Sequence, residues 1–220
     1  MTASGPEIIT RWLSPDAVPF SEDVACRFLK IRRSSDKFST MQELTRELLA
    51  QLRKIIKPRY RFLIAPVAQV DLGRGTARLE GGTEFHGEGI ARLLHASRWA
   101  ACFALTLGEE VDREQERRSV EDFSEAYFFD GVASALADGV LAALRTELDQ
   151  RARERTCEVA YRFSPGYTRW PIRDQSVLLP MLRAEEIGIS LTDTYFMLPQ
   201  KSLSGVFGLR ECTEGPGVVG

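Results

Sequence analysis

The 220-residue chain is poor in the residues that usually announce a chemistry. It has two histidines, His86 and His95, and no Gly-x-Ser-x-Gly string that would build a nucleophile elbow. Its four cysteines, Cys26, Cys102, Cys157 and Cys212, form no Cys-x-x-Cys pair and match no zinc-ribbon spacing. Set among apolar or mixed neighbours, as in Ala101-Cys102-Phe103-Ala104, they read as reduced thiols acting as small hydrophobes. The glycines at Gly73, Gly75, Gly81 and Gly82 are not followed by the Lys-Ser/Thr of a phosphate loop. Basic charge is not in excess either. Lys plus Arg is 29 against 31 for Asp plus Glu, a formal charge of −2, so bulk binding of nucleic acid has no electrostatic basis. No apolar run approaches about 18 residues, so no membrane-spanning helix is expected. Met1–Glu7 lacks the basic start and apolar stretch of a secretion signal, which together with the thiols favours a cytoplasmic protein.

What is present describes an ordinary globular domain, 44% apolar and 27% charged. Residues 1–38 read as an N-terminal lead-in with some helix, part of the same domain as 39–213, and 214–220 as a frayed tail. Thr40 and Glu43 have capping-box spacing ahead of a helix over 39–57, with Leu44, Leu48, Leu49, Leu52, Ile55 and Ile56 on one face. Strands are expected at Tyr60–Val67 and Ala77–Glu80, a short helix at Gly89–Ala96, and at Trp99–Gly108 a strand covered on both faces. A charged helix over Glu109–Arg118 precedes the longest helical pattern, Val120–Arg155, with a kink at Asp130-Gly131. Then come a strand at Cys157–Phe163, a helix capped by Asp174 and ending at Gly188, and strands near Thr194–Leu198 and Leu203–Leu209. Helices mixed with hairpin-like strands indicate α+β. The basic group Arg53, Lys54, Lys57, Arg59 and Arg61 reads as a solvated face at a helix end, or else as a dock for an acidic protein.

The informative stretch is 161–209. In Tyr161-Arg162-Phe163-Ser164-Pro165-Gly166-Tyr167, an arginine closes a strand and a turn follows at once. Pro165 fixes its own φ and Gly166 admits backbone geometries that side chains forbid. The main chain at Ser164 and Gly166 is thereby free to approach a planar ligand, Tyr167 offers a flat ring, and Arg162 suits a carboxylate through two parallel bonds. These features describe a site for a small zwitterion with an aromatic part. They equally describe a tight surface turn with a solvated arginine.

Three blocks in order, Arg162-x-Ser164-Pro165-Gly166-Tyr167 with Trp170-Pro171, then Ile187–Pro199, then Lys201-Ser202-Leu203-Ser204-Gly205, resemble the activation domain of cobalamin-dependent methionine synthase. Thr106-Leu107-Gly108 before a charged helix is similar to free-standing members of that family. The resemblance spans about residues 100–210, and more weakly extends back to 40. It implies a single curved, helmet- or C-shaped α+β domain with a twisted antiparallel sheet flanked by helices, one of them long and central. It implies binding of S-adenosylmethionine, with Arg162 on the carboxylate, backbone groups of Ser164 and Gly166 and the ring of Tyr167 on the adenosyl part, and Asp138 as the acidic contact from the long helix. The family's later tyrosine appears here as Phe207, which lacks the hydroxyl. The role implied is reactivation: oxidised cob(II)alamin on a corrinoid-binding methionine synthase chain is reduced by flavodoxin or a similar donor and methylated. A sensor of S-adenosylmethionine and an accessory to another corrinoid methyltransferase are the competing readings. Glu84-Phe85-His86-Gly87-Glu88-Gly89 is similar to the Asp-x-His-x-x-Gly string of cobalamin-binding domains, but Glu replaces Asp and the corrinoid domain's context is missing. The chain is therefore not expected to hold the corrinoid itself.

Overall fold

Along Trp99–Thr106 successive side chains enter two different cores. Ala101, Phe103 and Leu105 belong to one, and Ala100, Cys102 and Ala104 to the other. That alternation, with no face left for solvent, places the strand at the centre of a sheet covered on both sides. Burial pushes the Cys102 thiol well above its ordinary pKa, which keeps it inert.

The computed structural model describes residues 6–31 and 38–212. Its strands are β1 (Ile9–Trp12), β2 (Arg59–Asp71), β3 (Thr76–Leu79), β4 (Glu84–His86), β5 (Trp99–Thr106), β6 (Cys157–Phe163), β7 (Ser190–Leu191), β8 (Met197–Leu198) and β9 (Ser202–Glu211). The helices among the described residues are α1 (Glu22–Phe28), α2 (Phe38–Ile55), α3 (Glu88–His95), α4 (Glu110–Glu121), α5 (Phe123–Arg153) and α6 (Gln175–Met181). The main sheet is antiparallel, ordered β4-β3-β2-β5-β9-β6, and β1 also pairs with β2. Strand β2 is long enough to hold β1 along Arg59–Phe62 and β3 along Val67–Asp71. Helices α2 and α5 cover one face through Leu48, Leu52, Phe129, Leu136 and Leu144. Helices α3 and α6 cover the other through Ile90, Leu93, Leu94, Leu178 and Leu179. The fold is mixed α and β with an antiparallel sheet and one long helix, as expected.

Several local expectations fail for identifiable reasons. The helix begins at Phe38, so Thr40 stands inside its first turn and is not a cap. The pattern from Val120 onward is two helices. Asp122 turns extended between them and its carboxylate accepts the Ser124 and Glu125 N–H groups at 2.8 and 3.1 Å. Helix α5 then runs unbroken through Asp130-Gly131. Gly131 is needed because a methyl there would collide with Leu29, and at Gly139 one would collide with the Pro19 carbonyl. Although no single run is purely apolar, α5 is long and apolar enough by composition to cross a bilayer. In this fold 56% of that stretch is buried inside the protein, as a core helix must be. Arg59 and Arg61 are not solvated. They are buried and donate to the Ile187 and Arg183 carbonyls, both at 2.6 Å, bracing the turn Ala184–Ile187 against β2. The tail 214–220 lies outside the described residues.

Candidate functional site

The loop after β6 is a closed unit. Gly166 adopts φ +91°, where a side chain would be strained, and donates its N–H to the Trp170 carbonyl at 2.8 Å. Tyr167 N–H reaches back to the Ser164 carbonyl (3.2 Å) and Trp170 N–H to the Tyr167 carbonyl (2.9 Å). The indole of Trp170 anchors the unit. It lies parallel to the Phe163 ring at 5.8 Å, meets Phe85 edge-on at 5.5 Å, and donates Nε1–H to the Asp174 carboxylate at 2.8 Å. Asp174 also accepts the His86 backbone N–H at 2.7 Å, so this carboxylate ties the loop to β4 and makes no cap bond to α6.

Beneath the loop sits the start of α3. A methyl on Gly87 would fall 2.6 Å from the Arg169 carbonyl, and one on Gly89 would run into the Phe163 ring. The glycines of Glu84–Gly89 are thus there for backbone contact between helix and loop, while the His86 side chain is exposed. Among the described residues no group of three or more His, Cys, Asp or Glu is placed to hold a metal ion. Arg169, itself at φ +63°, is pinned by an ion pair to Glu88 at 2.6 Å. Hydrogen bonding from Arg92, and then from Arg169, holds the Glu88 carboxyl below the usual carboxylate range.

The six candidate residues fall into two groups joined by the end of β6. Arg162 lies directly opposite Phe207, so their side chains share the sheet face toward α5. Phe207 is 4% exposed, packed on Phe103 at 5.3 Å. Arg162 is half-buried, and its guanidinium makes no hydrogen bond or ion pair among the described residues. Asp138 is also half-buried and unpaired among them, on the α5 stripe that carries Asp130 and Ser134 (both bound by Lys201 Nζ, at 2.6 and 2.9 Å) and Arg145. The second group is the loop. Ser164 is buried, its hydroxyl donating to the Ser204 carbonyl at 2.7 Å. Gly166 and Tyr167 line a cleft of about 640 Å³ with Ile172 and Phe196, and Arg162 is not part of its wall. Tyr167 and Phe196 are 63% and 62% exposed, two aromatic faces open to solvent. Four residues of chain, a reach of about 13 Å at most and less through the turn at Pro165-Gly166, connect Arg162 to Gly166. The arrangement is an edge with a cation and a carboxylate that are unpaired among the described residues, and with exposed aromatic surface on the loop beyond them.

The sequence reading passed over Arg145, Asp174 as a tie, and Phe196. Arg145 was open to detection as one of the polar residues at helical spacing (Asp130, Ser134, Asp138, Arg145, Asp149) interrupting an apolar helix.

The family model for the vitamin B12 dependent methionine synthase activation domain matches residues 91–213, more than half of the chain and all six candidate residues. The chain belongs to this family. Among solved structures it is similar to the crystal structure of the MetH reactivation domain bound to AdoHcy, with a TM-score of 0.73 over 96% of this chain and 81% of that one. At 14% identity that likeness establishes a shared fold. No curated protein matches the chain. The three blocks read from the sequence all fall inside the matched span, on β6 and its loop, on the segment around β7 and β8, and on β9.

Proposed function

We propose that this activation domain binds S-adenosylmethionine along the edge formed by β6, its loop and α5, and supports reductive methylation of cob(II)alamin carried by a partner methionine synthase chain in the cytoplasm. One observation carries the reading: the half-buried Arg162 guanidinium has no anion among the described residues, on an edge where Asp138 also lacks a cation. A guanidinium partly withdrawn from water gains most from a bidentate carboxylate, and the amino-acid end of S-adenosylmethionine supplies both a carboxylate and an ammonium. In this reading Arg162 holds the carboxylate, Asp138 the ammonium, and the Ser164–Gly166 backbone with the exposed Tyr167 ring the adenosyl part. The Gly166 N–H is committed to Trp170, which leaves its carbonyl as the acceptor offered to a ligand. The bound sulfonium supplies an already electrophilic methyl, so the protein needs no acid or base of its own. Its residues hold and aim the group, a proximity effect. The electron for cobalt comes from a flavodoxin-like donor in this scheme.

Calorimetry with S-adenosylmethionine tests the site. The unaltered chain binds, and Arg162→Ala loses about 2–4 kcal/mol, roughly thirty- to nine-hundred-fold, toward the lower end because Arg162 keeps some solvent access. Unchanged affinity in the variant refutes the site. Methyl-labelled ligand with a reduced corrinoid protein tests the role: label reaching cobalt supports reactivation, and binding without transfer supports a sensor.

A further inference from the structure

Strand β6 changes register half-way along its pairing with β9. Cys157 and Val159 lie opposite Glu211 and Leu209, but Arg162 and Phe163 lie opposite Phe207 and Val206. Ala160 and Tyr161 therefore face the single residue Gly208, which is a β-bulge. In the register set by Val159, Arg162 would stand opposite Val206, whose side chain belongs to the core on the α3 side. The extra residue moves it opposite Phe207, on the α5 side. A one-residue slip exchanges the faces of a strand, so the bulge decides which side of the sheet receives the guanidinium.

A bulge disrupts the ladder locally, and here a side chain from α5 bonds the carbonyls beside it. Arg145 donates to the Val159 carbonyl at 2.7 Å and to the Ala160 carbonyl at 3.3 Å. Its Nε donates to Asp149 at 2.9 Å, which sets the plane of the fork, and its guanidinium carbon lies 5.5 Å from the centre of the Phe207 ring. One guanidinium thus contacts both the bulge and the residue opposite Arg162. We infer that Arg145 is a positioning residue: it holds the β6 bulge in the register that turns Arg162 toward the α5 face, where the carboxylate of the ligand is read. This rests on the S-adenosylmethionine site proposed above. A lysine, with a single ammonium, does not reproduce the two-carbonyl fork.

Two readouts separate the inference from that site. In the ligand-free chain, cross-strand NOEs connect Arg162 to Phe207. In Arg145→Ala they move to Val206 or disappear, while the β5–β9 NOEs persist. If the Arg162–Phe207 NOEs survive in the variant, the inference falls whatever the chain binds. By calorimetry, Arg145→Ala weakens S-adenosylmethionine at least tenfold and leaves 5′-methylthioadenosine, which lacks the amino-acid end, within twofold. In an Arg162→Ala background the same change has no further effect, and Arg145→Lys recovers little. Equal loss for both ligands, or additive losses in the double variant, would mean general damage to the edge and would overturn the positioning role. An unaltered chain that binds neither compound refutes the proposed site, and the NOEs still decide the register.

Discussion

Replacing Gly205 by alanine adds one methyl at the point where β9 supports the loop. The methyl would lie 2.5 Å from the Phe163 carbonyl oxygen, 2.7 Å from the Ser164 hydroxyl and 3.2 Å from the Phe103 ring. Ordinary contact begins at 3.4 Å, so the first two neighbours must retreat by about 0.9 and 0.7 Å. The carbonyl belongs to the β6–β9 ladder and yields only if the strands part. The hydroxyl can rotate, but then gives up its 2.7 Å bond to the Ser204 carbonyl. Overpacking of this kind costs about 1–3 kcal/mol and the lost buried bond about 1 kcal/mol more. For a chain of this size 2–4 kcal/mol lowers Tm by roughly 4–16 °C. Thermal unfolding followed by circular dichroism reads it directly. Gly82→Ala is the control: its methyl meets nothing within 4 Å, its cost comes only from φ +92°, and it leaves Ser164 undisturbed. Measured well below Tm, affinity for S-adenosylmethionine is expected to fall several-fold in Gly205→Ala and to hold in Gly82→Ala. A Gly205→Ala chain with Tm within 1 °C of the parent would refute the close approach and the path from β9 to the loop.

Asp174→Ala leaves the Trp170 indole N–H and the His86 backbone N–H without their acceptor inside the protein. A loss of about 2–4 kcal/mol is expected in urea unfolding, with a change in tryptophan fluorescence. Both N–H groups bond the same carboxylate oxygen, so Asp174→Asn, whose amide oxygen can accept both, is expected to lose clearly less than Asp174→Ala. Hydrogen bonding from Arg117, then from Arg118, holds the Glu114 carboxyl at about 2 against an ordinary 4.5. A depressed carboxyl stabilises the fold fully above its unfolded value and loses that contribution as pH falls through its folded one. Glu114→Gln is therefore expected to lower Tm by about 1–3 °C at pH 7, with the gap to the parent closing between about pH 4.5 and 2. A gap that persists at pH 2 would contradict the pairing.

The parts of the fold that came through from sequence are those whose cause is local. Cys157–Phe163 and Trp99–Thr106 carry their strand character in their own alternation or their unbroken apolarity. Strand β1 escaped because its four residues are half exposed and owe their pairing to β2. The break at Asp122 was hidden by Val120 and Phe123, apolar residues that extend the pattern yet stand in solvent. Asp174 was read as a cap because its local sequence allows one, whereas its partners lie on β4 and in the loop. The site divides in the same way. The Arg162–Tyr167 block was visible as a string, but the side of the sheet to which Arg162 turns depends on the β9 register and on Arg145, and neither is written in the string itself.

Contact between the start of α3 and the Arg169–Trp170 backbone, with Gly87 and Gly89 lacking the atoms that would keep them apart, leaves the segment after β6 no slack. Its backbone is laid down by packing before any guest is present, as a saddle is cast before the rider. For the S-adenosylmethionine site proposed above, the expected consequence is capture paced by diffusion and charge, without a separate slow step for closing a door.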